Sequence, residues 1–298
     1  MEKREGYWRL IEQTEGIRAV DPLGDNISFM HAVLAQVGLP RRKVDGRSFA
    51  RTSGGASVMV QAGQLFDGRR WVDQPLPYGP KPRVMLMDIC SYAVEHRTQQ
   101  INVGGNVTDY LRRLGWSKQG GAQGPLTLFK RQAMALAACS MRLGIAYGGQ
   151  AHTISGQPIK RFSAWLSNDS AQPAMWPAQL ELSADFYESL LANAVPLDKR
   201  AIRALSGSAL SLDLYTWLAH RLHRLGRPKL VYWKPIRDQF GQEYNSEKNF
   251  KHELLHQLKK VKVAYPAAKI EAVAGGLMLR PSQPPVAKKL FFVDKPVD

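Results

Sequence analysis

The order of predicted elements between residues 198 and 280 limits the possible folds of this chain more than any other feature. The sequence predicts, in turn, a helix over 205–225, a strand over 229–233, a short helix over 235–240, a lysine-rich helix over 247–263 and a hairpin that turns at Gly275-Gly276. Paired glycines are a strong signal for a tight hairpin turn. Helix, strand, helix, helix, hairpin is the order of a winged helix, which presents its third helix and its hairpin on one side.

The same order of elements is predicted once more, upstream. It consists of a helix over 83–97, a strand over 100–103, a helix over 106–114, a helix over 125–143, and a hairpin made of 147–155 and 159–166 around Gly156-Gln157-Pro158. The two stretches share no evident sequence repeat, so the repetition lies in the order of elements and in the charge. The chain is therefore predicted to carry two tandem winged-helix domains.

The predicted fold class is α+β and mainly helical, with two tandem winged-helix domains behind a poorly defined N-terminal extension. The expected segments are an extension with a proline-rich linker over 1–80, a first winged helix over 81–170, a second over 171–281, and a flexible tail over 282–298. Within the extension, the pattern predicts a helix over 26–37 and two strands over 48–52 and 57–61.

The positive charge of the chain is divided into two blocks. The formal net charge is +16. Counting Lys and Arg against Asp and Glu gives +8 for residues 81–165, −5 for residues 166–198 and +9 for residues 199–262. Two separated basic surfaces indicate a polyanionic partner, and nucleic acid fits better than a membrane because no basic amphipathic helix exposes an apolar face.

The 247–263 helix divides into an apolar and a basic arc when it is drawn on a helical wheel. Phe250, Leu254, Leu258 and Val261 fall on the apolar arc, which we expect to face the core. The opposite arc and its flanks carry side chains suited to base edges and phosphates. The DNA-binding residues predicted here are Lys248, Lys251, His252, His256, Lys259, Lys260 and Lys262.

The corresponding helix of the first block is less basic. Its outer arc, with the hairpin that follows, predicts a second set of DNA-binding residues, namely Lys130, Arg131, Gln132, Arg142, Lys160 and Arg161. Ala135 lies on the same arc. A small side chain there allows a close approach to DNA, and it equally allows packing against another helix.

One short motif offers a competing interpretation. His252-Glu253-Leu254-Leu255-His256 has the HExxH form of zinc hydrolases, with two His on one helical face. Lys248 and Lys259 share that face and oppose a dication, and no His follows to act as a third ligand. The glycines of 120–124 lack the Gly-Lys-Ser/Thr of a phosphate-binding loop. We therefore predict no catalytic residue, no metal and no cofactor, and keep the zinc hydrolase as a remote alternative.

The cysteines and the N-terminus bear on the compartment. Cys90 and Cys139 both fall in apolar helical patterns, which is typical of reduced, buried thiols rather than of a disulfide framework. The first ten residues contain no apolar signal region, and no apolar run of about 18 residues occurs. We expect a soluble, intracellular protein that does not bind membranes.

Three segments resemble a known family. They are Pro196–Leu205, the run SALSLDLYTWLAHRL that begins at Ser208, and Gln239-Phe240-Gly241. They are similar to the C-terminal region of plasmid RepA replication initiators, and Leu76–Arg83 resembles the entry into the upstream half of that family. The resemblance covers roughly residues 75–275.

The resemblance implies a tandem winged-helix initiator of the bacterial cytoplasm, and the absence of nucleotide-hydrolysis and nicking motifs predicts that it is not an enzyme. Such proteins bind repeated double-stranded sites (iterons) at the plasmid origin and help to open the duplex. They bring in the host replication initiator and helicase, exist in a monomer–dimer equilibrium, and commonly repress their own gene. A transcriptional repressor with the same two domains and no role in replication is the alternative within the class of DNA-binding proteins.

Overall fold

The chain is organised as two compact units. The structure, a computed structural model, describes residues 2–103, 107–114, 116, 124–147, 149–156, 159–165 and 176–287. Residues 29–194 form one unit, here called the continuous unit. Residues 1–28 and the chain from Val195 onwards form the other, here called the split unit. Within the described residues, every helix is too short or too polar to cross a membrane.

Up to residue 194 the described part of the chain contains both helices and strands. They are α1 Glu2–Ala19, β1 Ile27–His31, α2 Ala32–Gln36, β2 Ser48–Ser53, β3 Ala56–Gln61, β4 Gln64–Phe66, β5 Trp71–Asp73, α3 Pro80–His96, β6 Gln100–Asn102, α4 Val107–Arg113, α5 Pro125–Ala138, β7 Ser140–Tyr147, β8 Gln150–Gly156, β9 Ile159–Trp165, β10 Trp176–Leu182 and α6 Ala184–Ala192.

The remaining elements form the body of the split unit. They are β11 Ala194–Asp198, α7 Lys199–Leu205, α8 Ala209–Arg221, β12 Lys229–Tyr232, α9 Trp233–Phe240, α10 Glu247–Ala264, β13 Ile270–Val273 and β14 Gly276–Leu279. The predicted single helix over 205–225 is divided, because Ser208 begins a new helix by accepting a hydrogen bond from the backbone N–H of Ser211. Every residue of α8 from Ala209 to His220 is buried, so this helix forms the centre of the unit.

Both units contain the winged-helix order of elements, which confirms the predicted fold class. In the continuous unit, α3, β6, α4 and α5 are followed by a sheet in which β10 lies between β6 and β9. In the split unit, α8, β12, α9 and α10 are followed by a sheet in which β14 lies between β12 and β13. The two sheets therefore have the same strand order, with the last strand in the middle.

The continuous unit departs from the prediction after α5. The predicted helix over 125–143 ends at Ala138, and β7 and β8 are inserted before the winged-helix sheet. Met141 and Leu143 are buried while Arg142 is exposed, which is the alternation of a strand and not the period of a helix. The predicted pairing of 147–155 with 159–166 is wrong, because β8 pairs with β7 and β9 pairs with β10.

The inserted strands complete a four-stranded antiparallel sheet with the order β2-β3-β7-β8. The prediction of strands over 48–52 and 57–61 is confirmed by β2 and β3. Val60 lies opposite Met141, and both are buried. Gly55 lies so near this sheet that a Cβ on it would stand 2.4 Å from the carbonyl oxygen of Ala146, so no larger residue fits there.

The predicted helix over 26–37 is also incorrect. Residues Ile27–His31 form β1, and a helix follows only over Ala32–Gln36. All five residues of β1 are buried, so its apolar side chains at helical spacing reflect burial on both faces of a strand. His31 ends the strand and accepts a hydrogen bond at Nδ1 from the backbone N–H of Val33, which begins α2.

The split unit includes the N-terminal helix, which the sequence placed in an extension. Helix α1 packs against α7 and α10. Arg200 joins the end of α1 to α7, donating from Nη1 to Gly16 O at 2.8 Å and from Nη2 to Val20 O at 2.9 Å. The same guanidinium pairs with the buried Asp198 at 2.7 Å. Asp198 also accepts from the N–H of Arg200, so it caps the first turn of α7.

The chain after β14 is held against the split unit, at least as far as Ala287. Val286 is fully buried. Tyr265 donates its hydroxyl hydrogen to Gln283 O at 2.6 Å, and Ser282 Oγ accepts from the N–H of Lys269 at 3.0 Å. Residues 282–287 of the flexible tail predicted over 282–298 therefore contact the split unit, and the remainder of that segment lies outside the described residues.

Strands β13 and β14 form a hairpin, here called the wing, in which the backbone of β12 packs closely against Gly276. Gly276 lies opposite both Val273 and Tyr232 in the sheet. A Cβ on Gly276 would stand 2.0 Å from Val231 O, which is backbone and cannot move aside. The neighbouring Gly275 has ordinary contacts, the nearest being 3.8 Å from the side chain of Leu230.

We predict that Gly276→Ala destabilises the split unit and that Gly275→Ala does not. Overpacking of this kind costs about 1–3 kcal/mol in the free energy of unfolding. Urea denaturation of the two variants and of the unmodified protein measures the difference. Equal unfolding free energies for Gly275→Ala and Gly276→Ala would contradict the close packing of β12 on β14.

The buried His31 predicts a dependence of stability on pH. Burial lowers its pKa from 6.5 to about 4. Below pH 6.5 the unfolded chain binds a proton that the folded chain does not accept until about pH 4. The contribution of His31 is therefore present above pH 6.5 and is lost as the pH falls towards 4, by about 2 kcal/mol between pH 7 and pH 5.

His31→Asn provides the test, because Asn caps helices well and does not titrate. The unfolding free energy of the variant should fall less between pH 7 and pH 5 than that of the unmodified protein. Urea denaturation at both values gives the two slopes. The same slope in both proteins would show that His31 does not titrate as its burial requires.

Candidate nucleic-acid interface

Helices α9 and α10 form a helix-turn-helix in the split unit. The turn is tight at Gly241, where a Cβ would stand 2.8 Å from Arg237 O. Ser246 then begins α10 by accepting a hydrogen bond from the N–H of Asn249. The predicted helix over 247–263 is confirmed, with α10 running over Glu247–Ala264.

The apolar arc of α10 faces the core as predicted. Phe250, Leu254, Leu258 and Val261 are all buried, and α10 packs against α8. A hydrogen bond also joins α8 to α10 in this interface: Ser211 Oγ donates to Gln257 Oε1 at 2.6 Å. Gln257 in turn donates from Nε2 to Glu253 Oε1 at 2.6 Å, which holds the carboxylate of the HExxH motif against its own helix.

The opposite face of α10 carries positive charge towards solvent. Lys248, His252, Lys259 and Lys262 are exposed, and His256 is half-buried. Within the part of the chain that the structure describes, none of the three lysines has an ion-pair partner. A surface of exposed, uncompensated cations suits a polyanion, because no internal pair has to be broken for binding.

Two lysines of the predicted set lie elsewhere on the helix. The ammonium of Lys251 lies 4.5 Å from the centroid of the Trp233 ring, in a cation–π contact, and its side chain is half-buried. Lys260 is also half-buried. These two residues border the exposed basic face and are less accessible than Lys248 or Lys259.

The wing lies beside this face. His252, His256, Lys259, Lys262 and Glu271 line one groove, which runs between the outer side of α10 and strand β13. The carboxylate of Glu271 pairs with Arg280 of the neighbouring chain segment at 3.5 Å. The geometry therefore joins the third helix and the wing into one surface, as a winged-helix reader requires.

Trp233 connects the wing to α10, and the sequence analysis missed it. Its Nε1–H donates to Ala274 O at 3.1 Å, and its backbone N–H donates to Gly275 O at 3.2 Å. Its ring holds Lys251, so one side chain touches the wing turn and the helix. The aromatic pair Tyr232-Trp233 at the end of a short strand was the available signal, and Tyr232 is exposed beside the same turn.

The HExxH motif does not gather a metal-ligand set. Within the residues that the structure describes, no cluster of three His, Cys, Asp or Glu side chains could hold a metal ion. Glu271 lines the groove with both His side chains, but it is paired with Arg280. The zinc alternative is thus left with two candidate ligands on α10 and no third among the described residues.

The first winged helix brings fewer of its predicted residues together. Arg131 is exposed and Lys130 is half-buried on α5, but Arg142 lies on β7 and is not part of that helix. Lys160 is exposed on β9, where its ammonium lies 3.5 Å from Glu181. The side chain of Arg161 lies outside the described residues. The predicted basic face of α5 is therefore reduced to Lys130 and Arg131.

Gln132 was placed on the outer arc of α5 and is instead 1% exposed. Its Oε1 accepts a hydrogen bond at 2.7 Å from the N–H of Tyr78, in the proline-dense segment before α3. Ala135 is buried on the same side. The small side chains of α5 serve helix packing here, because α5 contacts α3, β4 and β9.

Comparison with solved structures supports the fold. The crystal structure of domain 2 and domain 3 of RctB superposes with a TM-score of 0.51 at 10% sequence identity, covering 84% of this chain and 98% of that chain. A second crystal structure of RctB domains 2-3 has a TM-score of 0.48 at 12% identity and covers 83% of this chain and 94% of the other. At 10% identity the likeness to the first structure concerns the fold alone, and the second carries no further argument.

Comparison of sequences identifies the family. No curated protein matches the chain in sequence. The model of the family described as plasmid encoded RepA protein matches residues 76–232, more than half of the chain. The match contains α3 to β12 and ends before α9, so α10 and the second wing lie beyond it. The chain therefore belongs to the family of plasmid-encoded RepA replication initiators.

Proposed function

We propose that this protein binds double-stranded DNA at the origin of its plasmid through α10 and the β13–β14 wing. The observation that carries the proposal is the outer face of α10, where Lys248, Lys259 and Lys262 are exposed and have no ion-pair partner among the described residues. In the helix-turn-helix geometry this face enters the major groove, where lysine and histidine meet base edges and phosphates.

The charge distribution supports two contact surfaces on the DNA. The charged residues of α5 and α10 fall in the blocks with net charges of +8 and +9, which are separated by an acidic stretch. We expect the second winged helix to bind DNA more strongly, because among the described residues α10 exposes three unpaired lysines, whereas α5 exposes only Arg131 and half-buries Lys130. The first contributes through Arg131, Lys130 and the wing that carries Lys160 and Arg161.

The family supplies the biological role in this proposal. The protein binds repeated sites at the origin and helps to open the duplex. It then recruits the host replication initiator and helicase, and represses its own gene in a monomer–dimer equilibrium. It acts by binding and does not catalyse a reaction. A transcriptional repressor with the same fold would bind an operator, but its loss would leave plasmid maintenance intact.

DNase footprinting on the origin of the cognate plasmid tests the proposal directly. Protection should extend over repeated sites at regular spacing, and deletion of the gene should abolish maintenance of the plasmid. A protein that protects no origin sequence would refute the proposal. Protection together with normal maintenance of a plasmid that lacks the gene would favour the repressor.

We predict that Lys248→Ala and Lys259→Ala each weaken binding to the origin duplex. The loss should be about 1–3 kcal/mol if the ammonium contacts a base edge, and smaller if it contacts only phosphate. Fluorescence anisotropy with a labelled origin fragment measures it. Arg18→Ala is the matched control, since it removes one exposed cation of the same unit from a depression next to Tyr265 and Pro284, away from the basic groove.

Unchanged affinity in both lysine variants would show that α10 is not the reading helix. A loss of equal size in Arg18→Ala would show that only the total charge matters. The three variants change exposed side chains, so their unfolding free energies should remain within about 0.5 kcal/mol of the unmodified protein.

The affinity for the origin duplex should also fall steeply with salt. Each phosphate neutralised by Lys or Arg releases counterions, and the slope of log K against log salt is about −0.9 per contact. Removing one phosphate-contacting lysine should reduce that slope by about one contact. Titrations at several NaCl concentrations give the slopes of both proteins. A flat response would contradict binding through two basic surfaces.

A further inference from the structure

The hairpin formed by β4 and β5 exposes two aromatic rings outside the winged-helix machinery. Phe66 is 50% exposed and Trp71 is 66% exposed. They lie directly opposite each other in the register of the hairpin, with ring centroids 5.7 Å apart and an interplanar angle of 52°. The hairpin precedes residues 76–232 and is therefore outside the part of the chain that matches the family.

Stability of the hairpin alone does not explain this exposure. Strands β4 and β5 form a sheet of only two strands, which is marginal by itself, and a cross-strand aromatic pair adds about 0.2–1 kcal/mol. This stabilisation requires contact between the two rings. It does not require Trp71 to expose two-thirds of its surface to solvent. At 52° the rings are not stacked, so neither covers the face of the other.

The turn of the hairpin is held rigidly and displays two arginines. Asp67 Oδ1 accepts hydrogen bonds at 2.8 Å from the backbone N–H groups of Arg69 and Arg70, and its own N–H donates to Arg70 O at 3.0 Å. Gly68 adopts a φ of 96°, which glycine tolerates without strain. Arg69 is exposed, and the side chain of Arg70 is 83% exposed.

The acidic groups of the hairpin are already engaged. The backbone N–H groups of Arg70 and Arg69 lower the pKa of Asp67, and its Oδ2 lies 3.8 Å from Nε of Arg70, so this carboxylate serves the turn. Asp73 pairs with Arg47 at 2.8 Å and accepts from Gln64 Nε2 at 3.2 Å. The tip therefore combines two exposed guanidinium groups with two open ring faces, while its carboxylates are compensated from within the protein.

We propose that this hairpin binds unpaired DNA, with a base stacked on Trp71 and Phe66 and with Arg69 and Arg70 at the flanking phosphates. Exposed aromatic rings beside cationic side chains are the means by which proteins bind single strands without reading their sequence. A base within a duplex offers no free face to such a ring. The site is distinct from α10, and it does not rest on the proposed duplex binding.

Substitution at Trp71 tests the stacking. Leu keeps apolar volume but has no π face, and Phe keeps a π face. In fluorescence anisotropy with a labelled oligo-dT single strand, Trp71→Leu should weaken binding roughly 5- to 100-fold, and Trp71→Phe by less than about 5-fold. Both variants should bind the origin duplex as tightly as the unmodified protein, since neither changes α10 or the wing.

Fluorescence gives an independent readout. The chain has seven Trp residues. A base stacked on Trp71 quenches the fluorescence of that residue. The quenching caused by oligo-dT in the unmodified protein should therefore be largely absent in Trp71→Phe, although this variant still binds. Arg69→Ala should weaken single-strand binding and reduce its salt slope by about one contact.

Each remaining outcome overturns the proposal. The site is refuted if the unmodified protein does not bind oligo-dT, or if Trp71→Leu binds it as tightly. Equal losses in Trp71→Leu and Trp71→Phe would show that base stacking is not the interaction. A loss of duplex binding in Trp71→Leu, with single-strand binding unchanged, would assign the hairpin to the duplex. In the other cases, normal duplex binding in every variant leaves the proposed function of α10 intact.

Discussion

The basic surface of this protein depends on how the apolar stripe of α10 is buried against α8. Phe250, Leu254, Leu258 and Val261 each contribute about 1.5–3 kcal/mol when removed from water. An α-helix is a rigid cylinder with 3.6 residues per turn, so burying one stripe also determines which side chains face outwards. The hydrogen bond from Ser211 to Gln257 adds a directional contact to this interface. Lys248 and Lys259 are exposed because the other face is buried.

The first winged helix shows what happens when the third helix is enclosed on more sides. Helix α5 contacts α3, β4 and β9, and Gln132 is buried to hold the segment before α3. Its many alanines suit this environment, because small side chains let neighbouring elements approach. Two winged helices with the same strand order thus differ in the surface that they leave exposed. The difference arises from packing, which a helical wheel drawn on one helix does not contain.

The parts that could be predicted from the sequence are those specified by local signals. Helix α10 has a cap at Ser246, an apolar stripe with a clear period and a stop at Tyr265-Pro266, and the wing has its paired glycines. Residues 139–147 lacked such signals at the end of α5, and their alternation is too short to distinguish from a continuing helix. The pairing of β7 with β3 joins residues about 80 positions apart, as Val60 and Met141 show, and nothing local announces it.

The sequence predicted the exposed lysines of the candidate site, but not the residues whose contacts connect α10 to the wing. The composition of α10 indicated the exposed lysines, because charge on one helical face needs only the helix to be correct. Trp233 was not recognised, since its role comes from contacts with Ala274 and Lys251 that exist only after folding. The sequence also grouped Lys251 with the exposed lysines, because its contact with the Trp233 ring exists only after folding. Position on a helix can be read from spacing, whereas contact between elements requires the fold.

The division of the chain has a consequence for its synthesis on the ribosome. Helix α1 is synthesised well before α7 and α10, the elements it packs against. At about 5–20 residues per second, α1 waits roughly 10–50 seconds for α10. The continuous unit has all its residues by position 194 and is able to fold during that interval. A translation product that stops before Glu247 thus lacks α10 and its exposed lysines.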